Sequence, residues 1–268
     1  MPRILQLTDS HVTARGTLWK DQFDTGARLR AQVAAANALA PDLIVHSGDI
    51  VELGATERGP AEYAQAADIL SALNAPLLVL PGNHDGRAGM RAAFPEQNWQ
   101  GAPYLNAVRE MQGLRIVGLD SVQEGRTEGA FPHAQADWLR RVLDHRPTLL
   151  FMHHPPCPMG LPMMDSFVFD GTDRLAQVLA ERQVLYLACG HVHCDVTTLW
   201  NGICVGAAEA GSVHLSPGLP GLEELMKRDH IEVEIEPLRL RLFDWHNDTL
   251  TVKTIAATPS AETVRLTG

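Results

Sequence analysis

Five short polar motifs in this sequence carry side chains that bind metal ions or transfer protons. They are Thr-Asp-Ser-His at residues 8–11, Ser-Gly-Asp at 47–49, Gly-Asn-His-Asp at 82–85, His-His at 153–154 and Gly-His-Val-His at 190–193. Each motif directly follows an apolar run, a pattern that indicates a buried strand ending in a polar turn. A single aspartate or histidine is more often structural than catalytic, so the prediction depends on the five motifs acting together.

The motifs supply two carboxylates, one amide oxygen and four imidazoles as candidate metal ligands: Asp9, His11, Asp49, Asn83, His153, His191 and His193. This set is too large for one tetrahedral zinc ion and suits two divalent ions. Mixed nitrogen and oxygen ligation favours Mn, Fe, Co or Zn over Ca or Mg, and the sequence leaves the choice among these four open. Asp49 follows a central strand and is the candidate for a bridge between the ions.

The spacing within the motifs adds local detail. Residues two apart in an extended segment point to the same side, so Asp9 and His11 are expected to reach one ion together. Gly48 has no side chain and lets the backbone come close to whatever Asp49 binds.

Strand and helix patterns alternate through the first two thirds of the chain. Strands are predicted at residues 3–7, 43–45, 77–80, 148–152 and 184–188, and helices from 24 or 25 to 39 and at 60–74, 87–94, 133–144 and 172–183. This alternation predicts parallel strands with right-handed crossovers. Such sheets bind ligands beyond the carboxyl ends of their strands, which is where all five motifs lie.

The remaining strand patterns indicate antiparallel pairing. Residues 104–108 and 114–119 predict a hairpin or adjacent strands, and after His193 the predicted strands are 196–200, 203–207, 231–235, 238–245 and 250–255. Asn201-Gly202 and Asn247-Asp248 are the expected turns. The second half of the sheet is therefore expected to be a meander.

Composition limits the class of protein. With 268 residues, 45% of them hydrophobic, and no internal repeat or linker, the chain is expected to form a single domain over residues 1–268. A net charge of −10 disfavours a nucleic-acid polymer as partner but not a small anion, because bound cations reverse the local field. The absence of a signal-peptide pattern or a long apolar run predicts a cytoplasmic protein with no membrane partner. The four cysteines lack CxxC spacing and are expected to be reduced.

Two loops and the C-terminal strands leave alternatives open. Residues 157–171 are rich in Pro, Met and Gly and form either a lid or a loop packed on the core, in which Cys157 could line the site. Residues 208–228 are a second candidate lid, with His214 near the site. The strands between residues 231 and 255 could pair with a second subunit and form a homo-oligomer.

The motif order DxH, GD, GNHD, H and GHxH, from Asp9 to His193, resembles that of the calcineurin-like metallophosphoesterases. The resemblance implies a four-layer α/β/β/α sandwich with mixed sheets. It also implies one ion on Asp9, His11 and His193, a second on Asn83, His153 and His191, and Asp49 as bridge. His84 would contact the scissile phosphate, where it stabilises developing charge or protonates the leaving group, while a metal-bridging hydroxide attacks.

The prolines after His153-His154, with Gly160 and Met164-Asp165 downstream, resemble class III cyclic nucleotide phosphodiesterases and their glycerophosphodiesterase relatives. This narrower resemblance implies an enzyme that hydrolyses a small-molecule phosphodiester, either a 3′,5′-cyclic nucleotide or a glycerophosphodiester. Glu52 departs from the Asp or Asn common at its position in the family. The alternatives are a phosphomonoesterase, a hydrolase of both ester types and, more remotely, a noncatalytic scaffold with the same fold.

Overall fold

The computed structural model describes residues 1–180, 182–228, 230–231, 233–235 and 237–257. Its strands, in chain order, are β1 (Arg3–Leu7), β2 (Leu43–His46), β3 (Leu77–Val79), β4 (Ala107–Met111), β5 (Leu114–Leu119), β6 (Thr148–Met152), β7 (Val184–Cys189), β8 (Val196–Trp200), β9 (Ile203–Ala207), β10 (His214–Leu215), β11 (Val233–Glu234), β12 (Arg239–His246) and β13 (Thr249–Ala256). Its helices are α1 (Thr25–Leu39), α2 (Gly59–Leu70), α3 (Arg87–Ala93), α4 (His133–Val142), α5 (Thr172–Leu179) and α6 (Leu222–Leu225), with a 3₁₀ turn at Met164–Ser166.

The strands form two mixed sheets and a short ribbon. The first sheet has the order β13-β12-β1-β2-β3, and the second has the order β4-β5-β6-β7-β9-β8. β1, β2 and β3 are parallel, as are β5, β6 and β7, which confirms the predicted parallel strands. β10 and β11 pair as a separate antiparallel ribbon.

Side chains that alternate between the two faces of each strand build four layers. In β1, Leu5 and Leu7 join the apolar cluster that contains Leu29 of α1 and Tyr63 of α2. Ile4 lies in the cluster between the two sheets, which also contains Phe151. Because successive strand side chains point to opposite faces, each sheet packs against helices on one face and against the other sheet on its second face. The predicted α/β/β/α sandwich with mixed sheets is confirmed.

The predicted C-terminal meander is wrong. β12 and β13 form a hairpin, but β12 also pairs with β1, antiparallel, so that β13 is the edge strand of the first sheet. β8 and β9 belong to the second sheet, where β9 lies parallel to β7. The pairing partner of a strand is decided by contacts distant in sequence, and local turn signals do not report them.

Some element boundaries also differ from the predictions. α2 ends at Leu70, four residues early, because tighter bonds such as Leu73 N–H to the Leu70 carbonyl close its last turn and Asn74 N–H donates to Asn37 Oδ1 at 2.8 Å. The strand predicted at 104–108 begins later, at Ala107. Of the described residues between 231 and 235, Val233–Glu234 form a strand.

Capping of α1 agrees with the sequence. The Asp24 side chain accepts a hydrogen bond from Ala27 N–H at 2.9 Å, and Ala40 adopts a left-handed conformation directly before Pro41.

Across the described part of the chain, no helix combines the length and apolar composition needed to cross a membrane.

Candidate active site

The five motifs meet at the carboxyl ends of parallel strands from both sheets. Asp9 and His11 follow β1, Asp49 follows β2, and Asn83 and His84 follow β3. The second sheet contributes the motifs after β6 and β7, which contain His153, His191 and His193. The structure therefore brings all seven candidate ligands and His84 together across the boundary between the sheets, as the clusters of donor atoms described next show.

The first cluster contains Asp9, His11 and His193, whose ligand atoms lie within 4.8 Å of one another. His193 Nε2 is 3.3 Å from Asp9 Oδ1 and 3.2 Å from His11 Nε2. Asp49 adjoins this cluster, since its Oδ2 lies 3.6 Å from His11 Nε2.

The second cluster forms around His153. Its Nε2 lies 3.3 Å from Asp49 Oδ2 and 3.2 Å from Asn83 Oδ1. His191 is also close, with its ring centroid 5.2 Å from that of His153, and its buried Nε2 has no hydrogen-bond partner. Asp49 Oδ2 therefore lies near histidines of both clusters.

Several of these residues adopt an unusual backbone conformation. Asp9, His11 and Asp49 have φ of 51°, 44° and 50°, and His191 and His193 have φ of 70° and 52°. The expectation that Asp9 and His11 converge from an extended segment is wrong, because β1 ends at Leu7 and both residues are left-handed. Their side chains nevertheless converge on His193. Strain of this kind is common at functional sites, where the surrounding structure maintains it.

Gly48 permits the close approach of the two sheets at this point. A Cβ on this residue would lie 2.5 Å from His153 Nδ1, and the glycine has φ of 110°. Any larger residue would push His153 away from Asp49 and strain the backbone.

Hydrogen bonds place a proton on Nδ1 of three candidate ligand rings. Nδ1 of His153 donates to the Ser47 carbonyl at 3.0 Å, and Nδ1 of His193 donates to the Val213 carbonyl at 2.9 Å. Nδ1 of His11 lies 2.7 Å from a carboxylate oxygen. Carbonyl and carboxylate oxygens accept only, so each Nδ1 carries a proton and Nε2 is the nitrogen that each ring turns to the clusters.

The charges of the site are strongly coupled. Burial opposes protonation of His153, but the Asp49 and Asp9 carboxylates outweigh burial and raise the pKa of this imidazole to about 9. Burial also opposes ionisation of Asp49, yet His153 holds the pKa of that carboxyl well below its usual range. Burial and the neighbouring His153 lower the pKa of His191 to about 3, which keeps this ring neutral.

The residues present fit a pair of divalent metal ions. Nε2 atoms of the rings face carboxylate and amide oxygens, and atoms of this kind repel one another unless a proton or a cation lies between them. His191 Nε2 is buried without any partner, as expected for a ligand atom whose partner is a metal. Imidazole, carboxylate and amide donors together match Mn, Fe, Co or Zn.

His84 lies beside the clusters and faces solvent more than the histidines in them do. Its side chain is 37% exposed, and its Nδ1 donates to the Glu52 carbonyl at 2.8 Å. Burial lowers the proton affinity of the ring, but the Asp49 carboxylate, the Glu52 carbonyl and the Glu52 carboxylate outweigh burial and raise the pKa of His84. The backbone N–H of His84 also donates to Asp49 Oδ1 at 2.8 Å.

An open cleft of about 600 Å³ lies over the two clusters. Site residues on its wall include His11, Asp49, Asn83 and His84. Apolar and polar side chains from several loops complete the wall, among them Trp19, Lys20, Gln22, Phe23, Met163, Phe167, Val213 and Leu215. A volume of this size suits a small-molecule ligand.

The loop residues singled out from the sequence have different positions. Cys157 lines a smaller cavity beside His154 and His191. His214 is buried, with its Nε2 3.9 Å from Glu209 Oε2, and it is the neighbouring residues Val213 and Leu215 that line the cleft. All four cysteines are free thiols in the structure.

Sequence reasoning missed three residues around the site. The sequence marks Glu52 only as a departure from the motif pattern, yet its carboxylate contacts His11 and Trp19. Trp19 belongs to the loop between β1 and α1, where no periodicity marks it. The His153-His154 pair was a signal for His154, whose ring lies 4.7 Å from that of His191 and whose Nδ1 bonds Ser121 Oγ at 2.9 Å.

The sequence matches the family model described as "Calcineurin-like phosphoesterase" over residues 2–195. A protein of Arcobacter nitrofigilis named "Probable glycerophosphodiester phosphodiesterase" is 35% identical over 250 residues, which cover 90% of this chain and 88% of that protein. The 3′,5′-cyclic adenosine monophosphate phosphodiesterase of Escherichia coli K12 is 32% identical over 225 residues, covering 80% of this chain and 78% of that protein.

Among solved structures, a dimetal phosphatase from Danio rerio superposes with a TM-score of 0.69 at 15% identity, covering 96% of both chains. At this identity the likeness supports the fold and not the activity.

Proposed function

This chain belongs to the calcineurin-like phosphoesterase family, and we propose that it is a dinuclear metal-dependent phosphodiesterase that hydrolyses small phosphodiesters. The observation that carries the proposal is the convergence of carboxylate, amide and imidazole donors from both sheets under an open cleft. Relatives that bear the names of glycerophosphodiester and cyclic nucleotide phosphodiesterases support a diester as substrate.

We assign the ligands by cluster. Asp9, His11 and His193 would hold one ion, Asn83, His153 and His191 would hold the other, and Asp49 would contact both. The contacts of Asp49 Oδ2 with both clusters support its bridging role. Two divalent ions bound there supply Lewis acidity to the phosphoryl group and lower the pKa of the attacking water. The metal pair is drawn from Mn, Fe, Co and Zn.

His84 would act on the substrate rather than bind metal. Its Nδ1 proton is engaged by the Glu52 carbonyl, which leaves Nε2 as the nitrogen available to the cleft. The raised pKa of this ring favours a proton on Nε2 as well. From there His84 can donate a hydrogen bond to a phosphoryl oxygen or protonate the leaving group.

The cleft is compatible with both substrate classes expected from the sequence. Trp19, Phe23 and Phe167 provide apolar surface on which a nucleobase could pack, and Lys20 and Gln22 provide donors for a hydroxyl of a glycerophosphodiester. A 3′,5′-cyclic nucleotide and a glycerophosphodiester are therefore the two substrates to compare.

Reconstitution with metal tests the proposal directly. Metal-free protein should not hydrolyse cyclic AMP, cyclic 2′,3′-AMP or glycerophosphocholine, and addition of Mn²⁺ should restore hydrolysis of at least one of them. Asp49→Asn keeps the size of the side chain and removes the charge of the proposed bridge. Mn²⁺ should therefore not restore hydrolysis in this variant. Hydrolysis that persists in excess chelator would contradict a metal-dependent mechanism.

A comparison of chromogenic esters separates the alternatives. A diesterase should turn over bis(p-nitrophenyl) phosphate faster than p-nitrophenyl phosphate. A strong preference for the monoester would instead identify a phosphomonoesterase, and similar rates would identify a hydrolase of both ester types. Two bound ions with no turnover of any ester would favour the noncatalytic scaffold.

A further inference from the structure

Glu52 connects two ring N–H groups from separate segments beside the metal clusters. Its Oε2 accepts a hydrogen bond from His11 Nδ1 at 2.7 Å and another from Trp19 Nε1 at 2.9 Å. The Glu52 side chain is only 13% exposed and that of His11 only 4%. These bonds are therefore shielded from competition by water, and a bond to a charged acceptor is stronger than one between neutral groups.

We propose that Glu52 is a positioning residue that fixes the orientation and tautomer of His11, and that Trp19 in turn fixes the Glu52 carboxylate. This inference rests on the proposed function, because His11 is one of the proposed ligands. It adds to that function two residues that hold the ligand without contacting the ion.

The geometry of the His11 ring supports this role. The two nitrogens of an imidazole point in different directions, so a bond at Nδ1 determines where Nε2 points. With Nδ1 on Glu52, Nε2 lies 3.2 Å from His193 Nε2 and 3.6 Å from Asp49 Oδ2. The carboxylate requires the proton on Nδ1 and so leaves the Nε2 lone pair for a metal ion.

The same contacts argue against Glu52 as a direct ligand. Glu52, His11 and His84 do lie close enough to form a donor cluster of their own. However, an ion bound to that cluster would need His11 Nδ1, which carries the proton bonded to Glu52. The nitrogen left to bind an ion is Nε2, which faces Asp49 and His193. His84 Nδ1 is also occupied, since it donates to the backbone carbonyl of Glu52 at 2.8 Å.

Trp19 and Lys20 complete the surroundings of the carboxylate. Trp19 Nε1 shares Oε2 with His11, and Lys20 Nζ lies 3.6 Å from Oε1. The Trp19 backbone is held in turn by its N–H bond to the Phe23 carbonyl at 2.9 Å. A carboxylate held from two sides loses little further freedom when it binds His11.

Titration of metal-free protein with Co²⁺, followed by calorimetry and by visible absorption, tests this role without any substrate. Glu52→Ala and Glu52→Met remove the acceptor, and Glu52→Met keeps the side-chain volume in case the alanine variant does not fold. Both should lose about 10–100-fold in affinity for one ion and change the Co²⁺ spectrum, with the second ion little affected. Glu52→Gln keeps an acceptor oxygen and should recover most of the affinity.

Matched controls separate positioning from general effects. Trp19→Phe removes the indole donor and should give a smaller loss than Glu52→Met, whereas Trp200→Phe on β8 should give none. Glu57→Gln removes a charge from the exposed end of the same loop and should also give no loss. Two ions bound by Glu52→Met with unchanged affinities and spectrum would overturn this inference and leave the proposed function intact. Wild-type protein that binds no Co²⁺ would overturn both.

Discussion

The imidazole of His153 lies between two buried carboxylates and carries a proton when no metal is present. Its pKa is raised to about 9, whereas the pKa of His191 falls to about 3 because burial and the neighbouring His153 oppose its protonation. Two ligands of one proposed ion thus start from opposite protonation states. A metal ion must displace the proton of His153 but meets a free lone pair on His191.

Metal affinity should therefore increase with pH from 6.5 to about 9, because fewer protons compete for His153. In metal-free protein the contribution of His153 to folding stability changes with pH in the opposite direction. A folded-state pKa above the unfolded value contributes stability that is complete below pH 6.5 and is lost as the pH rises through 9. Mn²⁺ titrations and melting temperatures across this range measure both effects. His153→Gln should flatten both dependences, and an unchanged slope in that variant would assign the proton to another group.

Substitutions of His84 and Asp49 should separate the role of general acid from the role of metal ligand. His84→Ala should keep nearly all bound metal and lower kcat by about 100-fold or more, the usual contribution of a general acid. Asp49→Ala should lose metal, because it removes the carboxylate near both clusters. Metal analysis together with kcat decides between these roles. The reverse result, with metal lost only in His84→Ala, would mean that the two roles had been exchanged.

At the scale of elements, residues 157–171 form a loop that belongs to both the core and the cleft. Met159 and Met164 are buried in the core cluster of the second sheet, and the Asp165 carboxylate accepts hydrogen bonds from Met159 N–H at 2.7 Å and Gly160 N–H at 2.9 Å. Phe167 lines the cleft. These contacts favour a packed loop over a freely moving lid, and movement of the loop stays a prediction.

Phe167→Ala should raise KM for the diester several-fold, because it removes apolar surface from the cleft wall. Metal affinity should change little, since Phe167 offers no ligand atom. Val168→Ala is the matched control, as the neighbouring Val168 is 72% exposed. Steady-state kinetics and metal titration on both variants measure the difference. An equal loss of metal and of substrate affinity in Phe167→Ala would indicate that the loop supports the whole site.

At the scale of the molecule, the site depends on the packing of one sheet against the other. Asp9, Asp49 and Asn83 come from the first sheet, and His153 and His193 come from the second. Between the sheets, the Phe151 and Phe243 rings pack edge to face at 5.4 Å. The site can therefore form only where this interface is intact. β13 is an edge strand of the first sheet, and its pairing with a second subunit stays a prediction.

Phe243→Ala should lower the free energy of unfolding by about 3–5 kcal/mol, because it leaves a cavity in this interface. Leu199→Ala on β8, where the side chain is 71% exposed, should change it by less than about 0.5 kcal/mol. Urea denaturation of the metal-free proteins measures both values, and excess Mn²⁺ should recover part of the loss in Phe243→Ala. Equal stability of the two variants would mean that the interface tolerates the cavity.

Local sequence patterns were sufficient to identify the candidate ligands and the edge at which they meet. Each ligand directly follows an apolar strand, and parallel strands end at the same edge, so local patterns were sufficient for Asp9, Asp49 and His153. The order of the motifs also predicted the layered fold, because it resembles the motif order of a known family.

Contacts between distant segments determine which strands share a sheet and which residues support the candidate ligands. β12 pairs with β1 although more than 200 residues separate them, and Glu52 meets Trp19 across two loops. The left-handed conformation of His11 likewise depends on surrounding contacts, such as its N–H bond to the Asp49 carbonyl at 3.0 Å. Contacts between distant segments leave no periodic signal in the sequence, and the structure was needed to reveal them.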